Sequence, residues 1–329
     1  MRTGKKVHSR ISAGLLGHFA GITLILLTIG ACGGFSPRED RFPRVSIPLV
    51  TFVFDDGYES DYLVAREIFS DQGVVACSAI TTGWINKPGY MSADQIIGLR
   101  DAGWEIMGHT ATHPNLRSLT PEQVEDELSR SKAALESLGL TVKNLVYPYN
   151  KSNAAVREIA AKYYRSGRGG KNQFNTSVHD TYDLRSFSDK QDLVAMKSHI
   201  DRAYAEKNWL IIYHHEIDAK ITMTDKRGGF TRGERILFSP SGAQGRLVRD
   251  SWLLFSGSMH FMPLSGTPLP GDTIKGEMSG ATAQLGRVVF NERDALTEML
   301  RYIRTQYPGM KIVTIDQGLD MLGSSSTNR

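Results

Sequence analysis

Three stretches of the 329-residue chain carry side chains that can hold a metal ion or move a proton. The first is Asp55-Asp56-Gly57, two adjacent carboxylates directly after the apolar run Val50 to Phe54. Neighbours on a strand face opposite ways, so both acids can serve one site only where the backbone turns, and Gly57 favours such a turn. The second is His109-Thr-Ala-Thr-His113. Imidazoles four apart share one face of a helical turn, so both could reach one cation, with a carboxylate from elsewhere completing a facial triad. The third is Trp209-Leu-Ile-Ile-Tyr-His-His-Glu216, an apolar strand that ends in proton-carrying imidazoles. Taken singly, a turn with solvated aspartates or a hydrogen-bonded histidine at a strand end accounts for such residues without chemistry.

The surrounding elements alternate. Segments 50–54, 74–80, 104–108, 142–147 and 209–213 read as short apolar strands, and 62–69, 92–102, 120–138, 153–164 and 192–207 as helices. Thr120-Pro121-Glu-Gln gives the longest helix an N-cap, a proline at its first position and a polar first turn, and Gly139 stops it. Such alternation predicts parallel strands with crossover helices, in a barrel or a doubly wound sheet, and both place chemistry at strand ends. The pattern breaks after Glu216 and resumes with a helix from Glu292 to about Tyr307 and a strand from Lys311 to Ile315. Between them Gly233-Glu-Arg-Ile236 with Ser241-Gly-Ala243 returns 38 residues later as Gly271-Asp-Thr-Ile274 with Ser279-Gly-Ala281, and Leu247 is matched by Leu285. This two-copy repeat of short strands marks an inserted all-β module. Its Trp252, Phe255 and Phe261 could stack on sugars if exposed, although aromatic residues in strands more commonly form core.

Taken in order, Asp-Asp-Gly, His-x-x-x-His, Tyr147-Pro148-Tyr149 and an apolar strand ending in His, together with the stretch Met91 to His109, resemble the polysaccharide deacetylase (NodB homology) family of carbohydrate esterases. The resemblance implies an α/β fold: a distorted (β/α) barrel with fewer than eight regular units, spanning 48–219 plus 291–322, with the small all-β insertion at 220–290. It implies one divalent metal ion, commonly zinc, held by Asp56, His109 and His113, with Asp55 as catalytic base. The oxyanion would be met by the metal and the backbone N–H of Tyr149, and a histidine would protonate the leaving amine. Strand alternation puts Ile211, Tyr213 and His215 on one face and favours His215, which an acidic residue follows; a bulge would favour His214 instead. The implied activity is removal of N-acetyl groups from an N-acetylglucosamine-type polysaccharide. An O-acetyl sugar esterase would use the same centre with less need for an acid. A catalytically weak carbohydrate-binding protein would have no physical need for three ligands and a base. Two departures stand out: Tyr147 lies where the family often has an Arg that orients the catalytic carboxylate, and Asn150 lies where it has Gly. Arg185 is the candidate substitute orienter, with Arg165 and Arg168 next in line.

The chain's formal charge is +4, which at first suggests an acidic partner. Residues 1–31 hold Arg2, Lys5, Lys6 and Arg10 and no acid, so without them bases and acids balance, and the charge total makes no case for nucleic acid. That segment has the basic start, apolar run (Gly21 to Ile29) and small residues of an export signal, and it is too short for a comfortable membrane span. Ile29-Gly-Ala-Cys32 resembles the lipobox of bacterial lipoproteins, which implies lipid on Cys32, a tether over 32–47 and attachment to a bacterial membrane, the outer one in a Gram-negative host. Cys77 is then alone in an apolar run, as a small buried thiol. The tail 323–329 is expected to be disordered.

Overall fold

The computed structural model describes residues 45–177, 180–190 and 192–324. Residues 1–31, Cys32, most of the tether and residues 325–329 lie outside them. Among the described residues no helix is long and apolar enough to cross a membrane.

Seven parallel strands, β1 (Leu49–Phe54), β2 (Cys77–Ile80), β3 (Glu105–Gly108), β4 (Asn144–Val146), β5 (Ser166–Lys171), β6 (Leu184–Ser188) and β7 (Trp209–His214), pair in sequence order. β7 closes onto β1, from Leu49 beside Trp209 to Phe54 beside His214. The period-2 alternation of each strand divides two cores. Leu49, Val53, Ala79, Met107, Val146, Trp209 and Ile211 fill the barrel. Val50, Phe52, Phe54, Ile106, Leu145, Leu210 and Ile212 face the helices outside. Those helices are α1 (Arg66–Asp71, entered through a π-turn at Asp61–Ala65), α2 (Ala93–Asp101), α3 (Pro121–Glu136), α4 (Ala154–Ala160), α5 (Leu193–Ala205) and α6 (Glu292–Gln306). α3 carries a full capping box: Gln123 N–H donates to Thr120 Oγ1, and Thr120 N–H donates to Gln123 Oε1. Such a cap contributes about 1 kcal/mol.

β5 and β6 were not legible as strands. Ser166-Gly-Arg-Gly-Gly170 has low strand propensity, yet it is buried between β4 and β6. Packing requires the glycines: a Cβ on Gly167 would lie 2.2 Å from the Tyr147 hydroxyl, and one on Gly170 would lie 3.0 Å from Asn150 Cβ.

β8 (Ala219–Arg227), β9 (Arg235–Ser239), β10 (Gln244–Leu253), β11 (Ser256–Ser265), β12 (Thr273–Gly276) and β13 (Thr282–Asn291) form a second, antiparallel closed barrel in the order β10-β11-β8-β13-β12-β9. Ile221, Met223, Ile236, Phe238, Leu247, Phe261, Ile274 and Leu285 fill it. The repeat is a reciprocal device. Asp272 of the second copy accepts from Ser241 N–H and Oγ in the first, and Glu234 of the first copy accepts from the Met278 and Ser279 N–H groups in the second. Each copy's acid therefore satisfies the other's Ser-Gly-Ala turn, which is why both acids are buried. Of the three aromatics, Phe261 is core, Trp252 is half-buried and Phe255 is 87% exposed.

The end of the chain differs from expectation. β14 is only Lys311–Ile312, beside Leu49 and Val50, and a helix, α7, runs from Ile315 to Ser324, so the backbone remains helical through the first residues of the expected tail. Thr314 stops the strand: its hydroxyl accepts from Gln317 N–H and its own N–H donates to Gln317 Oε1. Ile315, Leu319 and Leu322 then join the residues inside the large barrel. Cys77 is free and buried in the same core, which pushes its thiol well above the ordinary range.

Candidate active site

At the carboxyl ends of β1, β3, β4, β5 and β7 the candidate residues converge. Asp56 and Gly57 both take positive φ, 79° and 80°, so the chain reverses directly after β1 and brings both aspartates to one side of the opening. Asp56 Oδ1 lies 3.3 Å from His109 Nε2 and 3.3 Å from His113 Nε2. Ligand atoms of the three residues all lie within 4.8 Å of one another.

The two histidines do not share a helical turn. They sit on a loop with positive φ at Thr110 and His113, 68° and 63°. Local helix spacing loses here because a buried carboxylate, Glu127 of α3, fixes the loop from outside. It accepts from the N–H groups of Ala111 at 2.9 Å and Thr112 at 2.8 Å and from Thr112 Oγ1 at 2.7 Å. His109 Nδ1–H donates to Val146 O at 2.8 Å, which sets the tautomer and leaves the Nε2 lone pair facing Asp56. Burial and the neighbouring His109 hold His113 below the usual imidazole range. Burial opposes ionisation of Asp56, but the surrounding imidazoles outweigh it and hold the carboxyl low. Asp56 Oδ1 is nevertheless buried without a hydrogen-bond partner. An unpartnered carboxylate oxygen 3.3 Å from the Nε2 atoms of two histidines is a donor set that fits a divalent cation.

Asp55 is held by Arg168, not Arg185. Arg168 Nη2 donates to Asp55 Oδ1 and Oδ2, each at 2.5 Å, and the arginine is fully buried on β5. Its Nη1 reaches Asn150 Oδ1 and Ser186 Oγ, and its guanidinium lies 5.0 Å from the Tyr213 ring centroid. Arg185 points elsewhere, to Gln173 Oε1, and Arg165 pairs with Asp316 and Asp320. Both departures are thereby explained. Tyr147 packs into the outer core over Gly167, and the neighbouring strand supplies the guanidinium. Asn150 takes φ 56°, a conformation asparagine tolerates almost as glycine does, and adds an acceptor for Arg168. The sequence signal for Arg168 was a lone charge among glycines.

The tandem histidines separate by strand parity. His214 faces the outer layer, stacked on Phe52 and Phe54, with Nδ1 3.0 Å from Asp189 Oδ2. Asp189 was not anticipated; burial opposes its ionisation, but His214 outweighs that and holds its carboxyl low. His215 follows Tyr213 on the inner face, 5.7 Å ring to ring, within electrostatic reach of Asp56 and His113. Tyr149 takes φ 57°, is 57% exposed and sets its ring 4.8 Å from that of His113.

Residues 44–165 match the family model for polysaccharide deacetylase. The match covers the first four strands of the large barrel. The match spans the Asp55-Asp56 and His109/His113 motifs and ends before Arg168 and His215. YxkH of Bacillus subtilis (strain 168), which carries the same family name, is 26% identical over 125 residues, 38% of this chain and 44% of its own length. The bifunctional xylanase/xylan deacetylase of Cellvibrio japonicus is 25% identical over 113 residues, 34% of this chain and 16% of its own. The chain thus spans less than half the length of these two relatives. Among solved structures, the Streptococcus pyogenes deacetylase PplD in complex with acetate is 26% identical, with 36% of this chain and 54% of that one covered and a TM-score of 0.35.

Proposed function

We propose that the deacetylase barrel is a metal-dependent hydrolase that removes N-acetyl groups from an extracytoplasmic polysaccharide of the N-acetylglucosamine type. The observation that carries this reading is Asp55, locked by a buried arginine beside the Asp56, His109 and His113 set. Those three residues would hold a divalent cation, zinc being the ion such a nitrogen and oxygen set most commonly takes, and the ion would supply a Lewis acid for the acetyl carbonyl and for water. Asp55 would accept the proton from the attacking water, since Arg168 Nη2 bonds both of its oxygens and fixes the carboxylate beside the metal-ligand set. The Tyr149 N–H would donate to the oxyanion. His215, on the inner face, would return a proton to the departing amine, which is a poor leaving group without one. His214 is buried against Phe52 and Phe54 and would serve through Asp189 to hold the end of β7. The xylan deacetylase relative supports a second reading, removal of O-acetyl groups from an acetylated sugar polymer. The purified chain is expected to contain about one divalent metal ion and to release acetate from N-acetylglucosamine oligomers faster than from acetylated xylan; no metal, or no acetate from either, would refute the reading, and preference for xylan would select the esterase.

The leader motif supports export and lipid attachment at Cys32. Expressed in a bacterial host, the chain is expected in the membrane fraction, and Cys32→Ala in that fraction only as the longer, uncleaved form. An unchanged mass in the variant would contradict lipidation at that cysteine.

A further inference from the structure

The small barrel contains a cavity of about 340 Å³ lined by Phe230, Arg232, Leu247, Val248, Arg249 and Asp250. The charge of Asp250 is taken by Lys226, whose Nζ lies 2.5 Å from its carboxylate. Two exposed arginines over an apolar floor remain. Among the described residues, Arg232 has no hydrogen-bond or ion-pair partner. Arg249 approaches only the His260 ring, at 3.5 Å, and His260 lies 3.3 Å from Asp218, three positions after His215.

The contacts of Arg249 with His260 and of His260 with Asp218 tie this cavity to the segment that follows β7 and His215. Burial and Asp218 raise the carboxyl of Glu216, next to His215, while Arg249 and Arg232 act on it in the opposite sense. Tyr58 and Tyr90 lie on the same edge as Glu59. Those two rings stack at 5.0 Å, Trp84 lies 4.9 Å from Tyr90, and His113 lies 5.1 Å from Trp84. Half-buried aromatic rings thus run from His113 to Tyr58, which precedes Glu59. Arg246, paired at 2.7 Å with Glu59, ties the small barrel to the same edge.

We propose that the cavity holds an anionic group, carboxylate or phosphate, carried by the polysaccharide presented to Asp55, so that the inserted barrel selects an acidic glycan. The proposal rests on the deacetylase reading. A guanidinium matches the paired oxygens of carboxylate or phosphate, and Phe230, Leu247 and Val248 offer an apolar face to a sugar ring. Glu216 and Asp218 are the opposing charges, and both lie on the β7 side.

The test is calorimetric binding by the full chain of three oligomers: neutral N-acetylglucosamine hexamer, an N-acetylglucosamine–glucuronate hexamer, and the neutral hexamer bearing a phosphate monoester. At least one acidic oligomer is expected to bind tenfold or more tighter than the neutral one, and which of them does so identifies the group. Arg232→Gln with Arg249→Gln is expected to erase that difference while binding of the neutral oligomer stays within twofold; Arg232→Lys with Arg249→Lys should retain part of it. Equal binding of all three oligomers, or an unchanged preference in the Gln pair, overturns the proposal. If no oligomer releases acetate, the deacetylase reading fails separately, because the binding comparison does not depend on turnover.

Discussion

Asp55→Asn is expected to lower turnover by about 100- to 10,000-fold, the usual contribution of a general base, without loss of the bound metal ion. The prediction separates two adjacent carboxylates that differ only in environment. Asp56 points at His109 and His113, so the metal content belongs to Asp56. Asp55 points at Arg168 and is 3% exposed, so its oxygens are positioned by a protein cation. Asparagine keeps the shape but cannot accept a proton at neutral pH, and its amide presents N–H to a guanidinium that has no acceptor. Some stability should therefore go as well, and circular dichroism with metal analysis distinguishes a folded, loaded, inactive protein from an unfolded one. Turnover within tenfold of the native chain would place the base elsewhere.

Arg168→Met is expected to destabilise the barrel by about 3–5 kcal/mol, the cost of leaving one member of a buried ion pair alone, and to abolish measurable turnover. The arginine is fully buried and spans β1, the turn after β4, and β6 through Asp55, Asn150 and Ser186. Methionine fills part of the volume and leaves the Asp55 carboxylate without a counter-charge. Arg168→Lys restores a charge but cannot hold Asp55 and reach Asn150 and Ser186 at once, so stability should recover more than activity. Arg185→Ala provides the control: its partner Gln173 is exposed, and turnover should stay within twofold. Denaturant unfolding and acetate release on the same preparations measure both. A stable, active Arg168→Met would show that the guanidinium does not hold the catalytic carboxylate.

The inserted barrel shows how a repeat becomes structural. Glu234 and Asp272, read in the sequence only as corresponding letters of two copies, each bind the turn of the other copy. Two segments that are short and glycine-rich singly are thereby committed to one closed barrel.

What the sequence alone determined is everything set by local pattern. The helix caps, the alternation into inner and outer faces, the two-copy repeat and the motifs at strand ends are written in residue types at short spacing, because backbone donors, side-chain parity and metal preference act over a few positions. The tertiary structure decided what depends on residues far apart in the chain. The strand at Ser166–Lys171 exists because Tyr147 and Asn150 pack against its glycines, and the loop of His109 and His113 takes its shape from Glu127. The guanidinium beside Asp55 comes from a residue 113 positions away. No short-range pattern distinguishes Arg168 from Arg185 or Arg165. Only closure of the barrel, which places one of them under Asp55 and the other two at the surface, makes that choice.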